Sequence, residues 1–226
     1  CGRLVKADAA ICNGELYLAI GHQETPEVYK LENGNWTLVH TGTNSWVNDV
    51  QLIVEENQIF AAYEQYESTY YKLVIVDLKT GEVITNSTNE IRVENTAGNA
   101  SVAYGNGVFY VTYFPALGGD CTIDRYEKLS GVWTRTNLRT DTGRATSVHA
   151  AQFQDGKLYV FSAENACAPR LSIFNGNSWS DYDIAEMTDS YGQTMVVMNG
   201  RDFLFYKDNT DSQGKALMVH GDTTQL

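Results

Sequence analysis

The stretch Asn13-Gly14-Glu15-Leu16-Tyr17 joins a turn to the opening of a strand, and its echoes along the chain decide the fold. A type I′ turn needs positive φ at both central positions, which Asn, Asp and Gly reach at least cost. The same turn, followed by an apolar or aromatic pair, returns at Asn57-Gln58-Ile59-Phe60 and at Asn106-Gly107-Val108-Phe109-Tyr110. It returns again at Asp155-Gly156-Lys157-Leu158-Tyr159 and Asn199-Gly200-Arg201-Asp202-Phe203. A second signal is a turn glycine shortly before a Trp or its substitute: Gly34 with Trp36, Gly81 with Val83, Gly131 with Trp133, Gly176 with Trp179, and Gly221. Those glycines stand 47, 50, 45 and 45 positions apart, so five copies of one unit fill the chain and leave no room for a second domain.

Each unit reads as four short strands, which in the first copy cover about residues 7–12, 15–21, 27–32 and 35–40. Four-stranded antiparallel units at this period are β-propeller blades. The sequence therefore predicts an all-β, five-bladed β-propeller, a single domain over 1–226. Its blades fall near 7–43, 44–90, 91–140, 141–186 and 187–226 plus 1–6. Residues 2–6 have no blade of their own, and the reading has this N-terminal strand complete the last blade and close the ring, since an open sheet edge invites wrong pairing. Residues 184–189 are the one stretch read as a helical turn.

Composition narrows the partners. Lys+Arg 16 against Asp+Glu 28 leaves a net charge of −12, which repels a phosphate backbone, so no nucleic acid is expected. No run approaches ~18 apolar residues and no Lys-rich patch is present, so neither membrane insertion nor an anionic lipid surface is expected. Cys1, Cys12, Cys121 and Cys167 form no C-x-x-C pair, which removes zinc knuckles and thioredoxin-type sites. An even count in an acidic, Tyr- and Asn-rich β chain suits an oxidising compartment, secreted or at the cell surface. Cys121 and Cys167 hold matching places in neighbouring units and are read as a disulfide, with free buried thiols as the alternative and Cys1 with Cys12 as a further candidate pair. The start at Cys1 reads as a mature or trimmed terminus, with a lipid-modified cysteine as the alternative.

In a four-stranded meander the first and third turns of every unit share one end. Nearly all tight Gly turns fall there. The longer segments 21–26, 64–70, 114–120, 164–169 and 207–214, with the links 41–48, 85–98, 137–147 and 185–190, fall at the other end. Elaborated loops on a rigid frame are where binding concentrates. Near the starts of the innermost strands at that end stand Asp8, Asp49, Asn99, His149 and Tyr191, read as a polar ring around the channel mouth. Trp46 and Tyr66 offer flat amphipathic surfaces beside it, suited to stacking on a sugar. Trp36, Trp133 and Trp179 share one repeat position and are read as packing between blades. Asp8, Asp49 and Asn99 carry hard oxygen ligands of the kind Ca²⁺ takes, but no D-x-D-x-D-G loop surrounds them, so no metal or cofactor is expected.

The segments Val28-Tyr29-Lys30-Leu31-Glu32-Asn33-Gly34-Asn35-Trp36 and Ile173-Phe174-Asn175-Gly176-Asn177-Ser178-Trp179 carry an N-G-x-x-W pattern. This resembles the kelch-like repeats of bacterial secreted and cell-surface proteins, and covers four of the five units well. The resemblance implies a propeller used for adhesion or glycan contact, a domain of a larger protein, with a glycan or a cell-surface protein as partner. The five-bladed lectin of the tachylectin type is similar in blade count and size only. Five-bladed glycosidases are similar in blade count as well. An enzyme of that kind would draw on Asp8, Asp49 and Glu64, because hydrolysis needs one carboxyl as acid and another as nucleophile or base. The chain lacks both an Asp-Pro opening its first unit and a third acidic residue in the ring. A non-catalytic binding module is the reading the sequence favours, with the hydrolase as its alternative.

Overall fold

The computed structural model describes residues 4–22, 25–43, 46–93, 100–115, 120–141, 146–164, 170–183, 190–198, 201–208 and 213–219. All regular structure within them is β. The first sheet holds β1 (Leu4–Cys12), β2 (Glu15–His22), β3 (Pro26–Glu32) and β4 (Asn35–Thr41) in that order. The second holds β5 (Val47–Glu55), β6 (Gln58–Glu67), β7 (Tyr70–Asp77) and β8 (Ile91–Val93). The third holds β9 (Ser101–Gly105), β10 (Val108–Tyr113), β11 (Cys121–Leu129) and β12 (Val132–Asp141). The fourth holds β13 (Thr146–Gln154), β14 (Lys157–Glu164), β15 (Arg170–Phe174) and β16 (Trp179–Asp183). A last, three-stranded sheet holds β17 (Ser190–Met198), β18 (Arg201–Asp208) and β19 (Gln213–Val219). Every pairing is antiparallel.

The turns follow the dihedral argument. Asn13-Gly14, Asn33-Gly34, Asn106-Gly107, Ser130-Gly131 and Asp155-Gly156 all take positive φ at both positions, from 50° to 85°. That is what a type I′ turn demands, and it fixes the register of each hairpin.

Sheets stack face to face, with β1 against β5, β5 against β9, β9 against β13 and β13 against β17. Because strand side chains alternate between faces, one strand feeds two cores. Ile59, Ala61 and Tyr63 of β6 join Tyr17, Ala19 and Val28 of the first sheet. Their neighbours Phe60 and Ala62 join Val102, Phe109, Val111 and Tyr126 of the third. Ala103, Tyr110 and Ile123 continue the stack against Leu158, Val160 and Phe174 of the fourth. Trp133 and Trp179 pack at the edges of the second and third of these cores, as expected for their repeat position. Trp36 departs from it and is 47% exposed.

A repeated polar device ties the innermost strands together. Asp8 Oδ2 accepts the N–H of Leu52 at 2.7 Å, Gln51 Oε1 accepts that of Val102 at 3.1 Å, and Ser101 Oγ accepts that of Ala151 at 3.0 Å. Each acceptor stands five residues before its own turn, at positions 13, 56 and 106. Each donor belongs to the next sheet. Gln51 adds a bond from Nε2 to the Ala100 carbonyl at 2.7 Å.

Several expectations are corrected. Among the described residues of 2–6, Leu4 and Lys6 pair with His22 and Gly21, so they extend β1 instead of completing the last sheet. Residues 64–70 are not a loop: β6 runs through Glu67, and Ser68 at φ 57 opens a two-residue turn into β7. The 85–98 link is partly an outer strand. Val83 bridges Val76, the chain turns through Asn86–Asn89, and β8 then resumes pairing with β7. Likewise the 137–147 link begins only after Asp141. The helical turn at 184–189 lies outside the described residues.

Candidate functional site

Three inner strands besides β5 also shift register near their start, at Leu4/Lys6, Thr146/Val148 and Tyr191/Thr194. In β5 the shift lies between Val47, paired with Gln65, and Val50, paired with Tyr63. Asn48 and Asp49 therefore both face the single residue Glu64, the two-against-one arrangement of a β-bulge. Both carboxyls are enclosed, Asp49 2% and Glu64 1% exposed. Glu64 Oε2 accepts Asn48 Nδ2 at 2.8 Å, and its Oε1 accepts the backbone N–H of Ala100. Asp49 Oδ1 accepts the N–H of Val50 at 2.6 Å and meets Lys6 Nζ at 2.5 Å. Burial, joined by the negative charge of Asp49, pushes the Glu64 carboxyl up to about 8. Burial also raises Asp49, against the pull of the Lys6 ammonium.

The ring predicted at the channel mouth is corrected in register. Counted back from the turn that ends each inner strand, Asp8 stands five residues away and Asp49 seven. Asp8 is thus the counterpart of Gln51, and its oxygens hold the N–H groups of Leu52 and Ala9, the latter at 2.9 Å. Among the described residues no group of three His, Cys, Asp or Glu side chains is placed to hold a metal. Asn99 lies outside the described residues. The backbones of His149 and Tyr191 pair with Ser162 and Lys207, while their side chains lie outside the described ones.

Trp46 and Tyr66 do come together. Trp46 immediately precedes β5 with 48% of its surface exposed, and its carbonyl accepts the N–H of Tyr66 at 2.8 Å. The Tyr66 ring lies 5.4 Å from that of Tyr71 at a 58° tilt, and the Arg92 guanidinium sits 4.7 Å over Tyr70. Glu90 holds this edge by accepting from Arg92 Nε at 2.8 Å and meeting Lys72 Nζ at 3.3 Å. The edge lies at the strand ends opposite the Asn-Gly turns.

Cys12 is a buried thiol whose Sγ lies 3.7 Å from the Gln58 carbonyl. Cys121 is buried as well. Cys1 and Cys167, the expected partners, lie outside the described residues. Residues the sequence reading did not single out are Lys6, Asn48, Gln51 and Ser101. For the last two a signal existed, since they stand at the same distance from their turns as Asp8.

No protein-family model and no curated protein matches the chain. Solved structures do. A prolyl endopeptidase is similar over 97% of this chain and 35% of its own, at 13% identity and a TM-score of 0.62. The protein YjhT is similar over 97% of this chain and 82% of its own, at 8% identity and 0.64. An α-L-arabinanase of Penicillium chrysogenum, complexed with arabinobiose, is similar over 95% and 76%, at 13% identity and 0.60. This chain spans about a third of the first of these proteins. Likeness at such identity shows the fold alone, a β-propeller architecture of four-stranded antiparallel sheets. A peptidase and a glycosidase both carry it, so the architecture selects no substrate.

Proposed function

We propose that the chain is a non-catalytic glycan-binding module, secreted or at the cell surface, whose sugar-stacking edge is built on Trp46 and Tyr66. The observation that carries this reading is the contrast between the two groups at the same strand ends. Trp46 is 48% exposed with the half-buried Tyr66 beside it, whereas Asp49 and Glu64 are almost fully buried, Asp49 Oδ1 held by Lys6 and Val50 and the two Glu64 oxygens by Asn48 and Ala100. An acid or base must reach its substrate, and an exposed indole is what a sugar ring's apolar face stacks on. A cell-surface protein is the other partner of the same edge. The arabinanase's ligand, arabinobiose, and the charge of −12 favour neutral glycans as first probes.

Five blades closed into a ring belong to this proposal. Trp133 and Trp179 each pack toward the preceding sheet, and the exposed Trp36, Leu38 and Ile11 mark the face of the first sheet where the last would close.

One observation favours the hydrolase alternative: a carboxyl near 8 beside a second carboxyl suits an acid paired with a base. A glycan array of wild type, Trp46→Ala and Glu64→Gln separates the readings. Binding lost in Trp46→Ala and kept in Glu64→Gln supports the module. Reducing ends released by wild type and not by Glu64→Gln overturn it.

A further inference from the structure

At the opposite ends of the strands, beside the tight turns, a groove of about 330 Å³ opens between the second and third sheets. That volume sits at the small end of ligand sites, which run from roughly 300 Å³ upward. Its floor is apolar, Phe60 and Ile84 of the shared core, and its walls are Tyr104 and Trp133. The rim is polar and held in place from within. Glu82 receives Lys128 Nζ at 2.7 and 2.8 Å and the Trp133 indole N–H at 3.1 Å. Gln58 Oε1 accepts the Tyr104 hydroxyl at 3.0 Å. Asp77 Oδ1 accepts the N–H groups of Lys79 and Thr80 at 2.7 and 3.2 Å. Among the described residues this leaves the Gln58 amide N–H₂, Asp77 Oδ2 and one Lys128 proton for an outside partner.

A ligand that matches this lining has an apolar face, a rim of hydroxyls and no negative charge. Two carboxylates outweigh one ammonium at the groove, and the whole chain repels anions. We propose that the groove is a second saccharide site, taking one or two neutral sugar rings. It rests on the glycan reading above. Tyr66 and Gln58 lie eight residues apart on β6, so the two sites are separated by ~26 Å along the strand. One domain would then present sugar contacts at both ends, and gain avidity on a polymeric glycan.

The test titrates xylotriose, arabinobiose and a panel of neutral oligosaccharides into wild type, Trp46→Ala and the double variant Gln58→Ala/Asp77→Asn. Amide and indole N–H spectra and calorimetric stoichiometry are the readouts. Asparagine keeps the oxygen that caps the 78–80 turn, and Tyr104→Phe is a milder second variant should the double one melt early. The expected result is shifts at the Trp133 indole N–H and Gly107 in both wild type and Trp46→Ala. Affinity at that site should fall at least tenfold in the double variant. Sugar binding that disappears entirely in Trp46→Ala, or shifts confined to the Trp46 end, would overturn the groove and leave the module standing. Silence of wild type toward the whole panel would overturn both.

Discussion

Replacing Glu64 by Gln isolates a buried group whose protonation makes stability vary with pH. In the unfolded chain a glutamate titrates near its ordinary value of 4.5, while in the fold it is pushed up to about 8. The folded state therefore holds a proton that the unfolded state has released anywhere between those values. The Glu64 contribution to stability is full below about 4.5 and is lost as pH rises through the window, levelling off above about 8. Each unit of separation corresponds to about 1.4 kcal/mol, so pH 5 to 8 removes up to about 4 kcal/mol. Asp49, also raised by burial, adds to the loss at the acid end. His40, lowered by burial, gives the opposite slope below its ordinary value, so the cleanest interval is pH 6.5 to 8. Urea denaturation of wild type and Glu64→Gln across pH 5–9 reads the difference directly. The wild-type curve should fall with pH and the variant's should be flatter by about 2 kcal/mol over the clean interval. Parallel curves would refute the reasoning, because they would show that Glu64 ionises in the fold as it does in water.

Three further outcomes follow from packing and hydrogen bonding. Gly105→Ala places a Cβ inside the ring of Phe153, which must leave its nearly parallel stack on Tyr110 at 5.5 Å to make room. A loss of about 3 kcal/mol in thermal or urea unfolding is expected, partly recovered by adding Phe153→Leu. Gln51→Ala strips two bonds from the junction of the second and third sheets and should cost about 2 kcal/mol, against about 1 for Ser101→Ala one junction on. Asn89→Ala removes the donor to the carbonyl of Ile84 beside the turn and to that of Trp133 in the third sheet, and the acceptor for Asn86 N–H. About 3 kcal/mol is expected, with the Trp133 fluorescence shifting as its edge loosens.

The hairpins were legible because their chemistry is local. Asn13-Gly14 and Asp155-Gly156 announce positive φ in the residue types themselves. Ser68 reaches φ 57 without a glycine beside it, so the β6–β7 turn carried no such mark and read as a loop. The broken outer strand of the second sheet was hidden for a related reason. Asn86 and Asn89 look like linker residues, yet Asn89 is buried and Tyr126 donates to its carbonyl at 2.6 Å across the sheet junction. The two acidic residues placed together at the channel mouth, Asp8 and Asp49, differ in register. Asp8 stands five residues before its turn and Asp49 seven, inside the bulge of β5, so two residues that looked equivalent at the strand starts do not share a register position. Trp46 stood out because an aromatic outside the repeat position has no packing role to fill, and it is 48% exposed; Tyr66, read beside it, is half-buried against the core of the second and third sheets.

The same burial that raises Glu64 argues against its use as an acid. A raised carboxyl marks an active site when the group faces a cleft that substrate can enter, whereas internal ion pairs perturb titration without any chemistry. Glu64 has Asn48 on one oxygen and the backbone of Ala100 on the other, and it is raised because burial penalises its charged form. Lys6, with 44% of its side chain exposed, stands between Asp49 and solvent. To serve hydrolysis, the inner strands would have to part and break the Gln51 bonds that hold Ala100 and Val102 in place. To serve binding, nothing need move: the Trp46 edge is open as it stands. On the proposed reading Glu64 ties the second sheet to Ala100 ahead of β9, Asp49 ties it to Lys6 of the first sheet, and recognition falls to the ends of the strands.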